Sequence, residues 1–170
     1  MPVLPYKNIL PKIADSAWIG EGAIVAGDVE IGEDSSVWFN VSMRGDVHEI
    51  KIGKRTNIQD NAVVHVTHKV SGAYIGDDVT IGHSAVIHAC TIHNRVLIGM
   101  GAVVLDEAIV EEGAMVAAGA LVPPRKVIPS GQLWGGNPAR YMRDLTPEED
   151  QFLEISADNY VKLAAEYKDQ

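Results

Sequence analysis

Ile13-Ala14-Asp15-Ser16-Ala17-Trp18-Ile19-Gly20-Glu21-Gly22-Ala23-Ile24-Val25 opens a six-residue rhythm that runs through most of the chain. Ile13, Ile19, Val25, Ile31, Val37 and Met43 fall six apart, and many precede Gly or another small residue, as in Ile19-Gly20 and Ile31-Gly32. The fifth place of each hexad is small or β-branched: Ala17, Ala23, Val29, Ser35, Val41, Val47. The phase slips by three to Ile52, Ile58 and Val64, and slips again to Ile75, Ile81 and Ile87. One residue then drops out, and Ile92, Ile98, Val104, Val110, Val116, Val122, Ile128 and Trp134 finish the series. An amphipathic helix repeats about every 3.6 residues and a half-buried strand every 2. A strict period of six fits a short strand plus a corner, repeated, with one aliphatic side chain pointing inward per side. Such coils stack at about 4.8 Å, the spacing between strands. Small fifth-place side chains let the corners close, and Gly supplies backbone conformations that other residues resist. An ordinary Gly-rich sandwich would not hold phase over so many hexads.

This pattern resembles the hexapeptide-repeat proteins. The resemblance implies an all-β fold, a left-handed triangular parallel β-helix with three hexads per coil and so six to seven coils. After Ala139 the rhythm stops. Thr146-Pro147-Glu148-Glu149 is a helix start, with Thr as cap, Pro first and Glu149 closing a capping box. Phe152, Ile155, Tyr160, Leu163, Ala164 and Tyr167 give a broken helical stripe. The expected organisation is an N-terminal segment (1–12), a β-helix domain (13–139), and a linker with a C-terminal α-helix (140–170). The helix is expected from about 147 to 168, packed along the outside of the coils.

The composition agrees. Of 170 residues 46% are hydrophobic yet only 6% aromatic, and 16 are Gly, so the core must use small aliphatics. The length suits one domain with a real core. A single Cys excludes a disulfide framework and a Cys-rich zinc site. A net charge of −9 argues against a nucleic-acid partner or an anionic membrane surface. No apolar run reaches the ~18 residues of a membrane span. Met1-Pro2-Val3-Leu4-Pro5-Tyr6 lacks the charged start and apolar run of a signal peptide. A cytoplasmic protein is the expectation.

Tracking the hexads around the triangle places the polar residues. His65 and His88 both take the second place of a side-three hexad, one coil apart, and point outward. Their expected separation is about one strand spacing, which suits two ligands of one metal. Arg44 takes the same slot one coil earlier. His83 is the third residue of a side-two hexad, near a corner, and Asp60 shares that slot one coil earlier with Gln59 before it. Two imidazoles thus lie on one wall and the third near another. A threefold oligomer, setting side three of one subunit against side two of the next, would unite all three and face Arg44 with the neighbour's Asp60. His48, His68 and His93 read as solvated surface, with His68 a weak candidate for relaying protons. Cys90 reads as a small structural thiol. Trp18, Trp38 and Trp134 read as covers for corners and an interface.

The constellation resembles the γ-class carbonic anhydrases and their close relatives. It comprises Arg44-Gly45-Asp46, Gln59-Asp60, the three His, Gly99-Met100-Gly101-Ala102, Gly135-Gly136-Asn137-Pro138-Ala139 and the final helix, nearly the whole chain. The resemblance implies zinc (or iron or cobalt) held at trimer interfaces by His65 and His88 of one subunit and His83 of the next. Three His leave open positions on zinc, whose bound water ionises near pH 7. Such hydroxide would attack CO2 to give bicarbonate. Gln59 would orient hydroxide or product. Arg44 and Asp60 would pair between subunits, Asp46 would orient a partner such as Arg44, and Asn57 would brace them. Tyr160 would position CO2 or water, or else pack the helix. Val66-Thr67-His68-Lys69-Val70-Ser71-Gly72 is short and has no carboxylate, which matches the short form of the family without the acidic, proton-shuttling loop. Two other readings stand beside the lyase: a hexapeptide acyltransferase or thioesterase acting on acyl-CoA, and a metal-binding trimer without hydratase activity.

Overall fold

The computed structural model describes residues 3–169. Met1, Pro2 and Gln170, including the start of the expected N-terminal segment, lie outside the described residues.

The inward aliphatics stack in three columns. Side one carries Ile13, Ile31, Ile52, Ile75, Ile92, Val110 and Ile128 in parallel register. Side two carries Ile19, Val37, Ile58, Ile81, Ile98, Val116 and Trp134. Side three carries Val25, Met43, Val64, Ile87, Val104 and Val122. The fold is the expected parallel β-helix of hexapeptide repeats, about seven turns long, with a C-terminal α-helix alongside. Ile24–Ile31 and Ser42–Ile52 run unbroken round the corner from side three to side one. The first phase slip is a bulge there: Gly27 pairs with Gly45, but Val29 pairs with Ile50. The extra residues include Asp46.

The corners show two separate demands. Fourth-place residues such as Asp34, Asn40 and Asn61 adopt positive φ near 60°. Asn and Asp tolerate this left-handed conformation better than most residues. Gly32, just after the inward Ile31, answers the other demand. A Cβ there would lie 2.5 Å from the Gly53 carbonyl oxygen on the next coil. Inside, Ile58, Ile81, Ile87 and Ile98 are fully buried, interleaved with fifth-place Ala62, Ala85 and Ala102. Each such Ile contributes about 1.5–3 kcal/mol through burial.

Both ends add strands beyond the hexads. Val3–Leu4 pairs with Val25 and Ala26 on side three. The stretch expected as a linker is largely a strand: Arg140–Asp144 folds back antiparallel on Gln132–Gly135. It caps the last coil edge, which would otherwise present unpaired backbone groups.

The helix is Pro147–Lys168, capped by Thr146, whose hydroxyl accepts the Glu149 N–H while the Glu149 carboxylate accepts the Thr146 N–H. It packs on side two through Leu153, Ser156, Ala157 and Ala164. The contact face therefore differs from the expected stripe. Phe152, Ile155, Leu163 and Tyr167 stay 39–48% exposed, because small residues bring the helix close and push bulky ones to its flanks. Tyr167 stacks on Trp18 and lies edge-on to Trp38. Arg55 reaches Asp158 and Arg95 reaches Asp150 and Glu154, tying the helix to a corner of the coils.

Candidate metal centre

His65 ends the strand Val63–His65 and His88 ends Val86–His88. The parallel register places the two residues side by side on the outer wall of side three. His65 Nδ1 lies 3.2 Å from His88 Nε2. The other ring nitrogens each face a carboxylate: His65 Nε2 is 3.2 Å from Asp46 Oδ1, and His88 Nδ1 is 2.7 Å from Asp106 Oδ1. Asp46 is brought there by the bulge and takes the Arg44 guanidinium on its second oxygen. Burial alone would raise the Asp46 carboxyl, but hydrogen bonds from Arg44 and His65, together with their charges, outweigh it and hold the group below its ordinary value. The Asp106 carboxyl is likewise held low, its burial outweighed by hydrogen bonds from Thr67 and His88.

His83 stands on the side-two wall. Its Nδ1 lies 2.8 Å from Asp60 Oδ2 of the same chain, and its backbone N–H donates to Gln59 Oε1 at 3.1 Å. Each of the three imidazoles thus has one ring nitrogen on a carboxylate. Within the chain, Arg44 pairs with Asp46 and Asp60 with His83. Among the described residues no three His, Cys, Asp or Glu of one chain gather around a common point.

Gln59 is buried and heads a polar ladder. Its amide donates to Asn57 Oδ1, Asn57 donates to Thr80 Oγ1, and Thr80 meets the Ser156 hydroxyl of the helix at 2.9 Å. One amide hydrogen and one lone pair of Gln59 remain. Tyr160 packs edge-on against Trp38, 5.3 Å between ring centroids, and lines a groove of about 420 Å³ with Gln59, His83 and Met100. Burial and the charge of Asp60 raise its hydroxyl, so it stays a donor. His68 and His93 are exposed, and His48 accepts the Glu49 N–H. Cys90 is buried in the core, where desolvation pushes the thiol up to about 12.

The His65–His88 pair suits a tetrahedral metal. Two nitrogens bound to one zinc at about 2.0–2.1 Å stand about 3.3–3.4 Å apart. A ring whose far N–H is held by a carboxylate keeps its lone pair on the near nitrogen, as metal-bound histidines do.

Asp106 escaped the sequence reading. It is a third-place residue, in a column with Val66 and Ala89, and second-place residues carried the search. The third-place Asp60 and His83 were the available signal, because that slot also reaches the outer wall near a corner.

The fold and these paired histidines define a hexapeptide-repeat protein with a histidine-lined wall, and the family described as bacterial transferase hexapeptide (six repeats) matches residues 11–45. Gamma carbonic anhydrase 1, mitochondrial, of Arabidopsis thaliana is 52% identical over 91% of this chain. The chain spans only 58% of that plant protein's length. A carbonic anhydrase of Geobacillus kaustophilus is 43% identical over 98% of this chain and 91% of its own. The crystal structure of a Bacillus cereus protein, provisionally described as an acetyltransferase, superposes with a TM-score of 0.96 at 42% identity, covering 98% and 96% of the two chains. The chain belongs to the γ-class carbonic anhydrase family.

Proposed function

We propose that this chain forms a homotrimeric carbonic anhydrase-like lyase that interconverts CO2 and bicarbonate at subunit interfaces. Zinc, or iron or cobalt in its place, would be held by His65 and His88 of one subunit and His83 of the next. The observation that carries the reading is the carboxylate behind each imidazole, Asp46, Asp106 and Asp60. Neutral, oriented imidazoles are what a divalent metal requires. The bound metal supplies Lewis acidity that makes hydroxide available near pH 7.

The chain's own groups do the rest. Gln59, fixed by Asn57 and by the His83 N–H, offers its remaining amide hydrogen to an oxygen of CO2 or bicarbonate. Tyr160 donates from the mouth of the same groove. Arg44 holds Asp46, which holds His65. Hydration of CO2 releases one proton per bicarbonate; the 66–72 loop carries no carboxylate to receive it, and His68 is its one imidazole.

The outer wall of side three supports a threefold assembly. Ile24 and Val63 are exposed there, in a ladder continued by Val86, Val103 and Leu121 beside the His pair. Such apolar rows mark contact surfaces.

The groove near His83, lined also by Leu97, Met115 and Phe152, favours a second reading, a hexapeptide acyltransferase or thioesterase acting on acyl-CoA; the Bacillus cereus relative is described as an acetyltransferase. A stopped-flow CO2 assay separates the two, run on anaerobically purified protein of measured metal content and compared with His88→Ala. The expected result is hydration above the buffer rate that the variant loses. Metal-loaded protein at the buffer rate that instead turns over acyl-CoA sinks the lyase reading.

A further inference from the structure

We infer that Asp106, fixed by the hydroxyl of Thr67, is a positioning residue that sets the His88 ring for metal binding; this rests on the metal-centre reading above. Three successive turns of the coil each contribute one group. Thr67 comes from the loop just after His65, His88 from the next coil, and Asp106 from the coil beyond. Asp106 Oδ1 stands 2.7 Å from His88 Nδ1, and Oδ2 accepts the Thr67 hydroxyl. The Asp106 backbone is pinned as well: its carbonyl accepts the Arg125 N–H at 2.9 Å, and the next residue, Glu107, donates to the Ala89 carbonyl at 2.7 Å. The carboxylate therefore has little freedom to turn away from the ring.

The consequence lies in the tautomer. A carboxylate on Nδ1 keeps the proton there and the lone pair on Nε2, and Nε2 is the atom that faces His65 Nδ1. Asp46 does the same for His65, but its second oxygen is held by the charge of Arg44. The second oxygen of Asp106 is held by a neutral hydroxyl on a surface turn, closed by Thr67 and Ser71. The 67–71 turn is thereby coupled to the orientation of one ligand and not of the other.

The test uses Co2+ as probe, with affinity from chelator competition and the visible spectrum as the readout of ligand geometry. The full-length assembly is compared as wild type, Asp106→Ala, Asp106→Asn, Thr67→Val and His88→Ala. Removing such an outer carboxylate costs about 10–100-fold in metal affinity, and that loss is expected for Asp106→Ala together with a shifted cobalt spectrum. Asp106→Asn, which can still accept from Nδ1–H, should recover part of the loss, and Thr67→Val should shift affinity in the same direction by less. Wild-type affinity and spectrum in Asp106→Ala overturn the inference. Should Asp106→Ala fail to fold, wild-type behaviour of Thr67→Val overturns it instead. Failure of the wild type to bind cobalt, or retention of binding by His88→Ala, overturns the metal-centre reading itself and is distinguishable from both.

Discussion

His65 Nδ1 and His88 Nε2 face each other at 3.2 Å although 23 residues separate them in the chain. A carboxylate behind each ring favours the proton on the far nitrogen, so both facing lone pairs can point to a common centre. The wall is thus poised for a cation, and four predictions follow from this geometry and the scaffold behind it.

Metal should stabilise the folded assembly. A ligand at about one hundred times its Kd adds about 2.7 kcal/mol, which for a chain of this length corresponds to a rise in Tm of about 5–11 °C. Thermal scans with added zinc and with a chelator measure it. Equal midpoints in the two conditions would contradict a folded-state metal site.

His83→Ala and His88→Ala should complement each other. Neither homotrimer has a full ligand set at any interface. After dissociation and reassembly of an equal mixture, about one quarter of interfaces join an intact side three to an intact side two, by random pairing in a cyclic trimer. Metal content of the mixture near that fraction, against almost none in either parent, is the expected result. A mixture no better than its parents would place all three ligands in one subunit.

Ile87 is fully buried between Val64 and Val104 and immediately precedes His88. Ile87→Ala should cost about 2–5 kcal/mol in denaturant unfolding. The cavity also frees the wall beneath His88, so metal affinity should fall in parallel. A loss below about 1 kcal/mol would mean the neighbouring coils collapse to refill the space.

Acid should loosen the helix through Glu149. The Arg143 guanidinium, followed by the Thr146 N–H, holds this carboxyl at about 2, below its unfolded value of about 4.3. A depressed folded value means the stabilisation is complete above the unfolded value and is lost as pH falls toward 2. Glu149→Gln should flatten this part of the stability profile between pH 5 and pH 2. A variant with the same acid slope as wild type would show that other carboxylates govern it.

Much of this was legible because an inward aliphatic every six residues leaves few ways to stack. Ile52 over Ile31 and Val64 over Met43 follow from the phase slips alone, and so does the pairing of His65 with His88. The helix start at Thr146 was legible because its cap uses only local residues. Three things were hidden for physical reasons. Arg140–Asp144 is exposed at all five positions, so it shows no alternation of polar and apolar residues, even though Tyr141 lies edge-on to Trp134 across the pair. The buried face of the helix is Leu153, Ser156, Ala157 and Ala164; of these only Ala164 lies in the expected stripe, because Ser156 and Ala157 are too small to mark a face. Asp106 shares the third-place slot of Asp60 and His83, but its bond to His88 depends on the rotation of that ring, which the slot alone does not encode.

The loop between the two His-bearing strands has a wider consequence. The surplus residues after His65 are extruded as the Thr67–Ser71 turn, and the strands on either side keep their register. Insertions and deletions beyond Thr67 at this corner leave the register of the wall intact, while Thr67 itself stays tied to Asp106. Descendants of one ancestral scaffold can therefore exchange the tip of the appendage, with whatever acids or bases it carries, while inheriting the same histidine spacing, so long as the residue at its root still reaches Asp106.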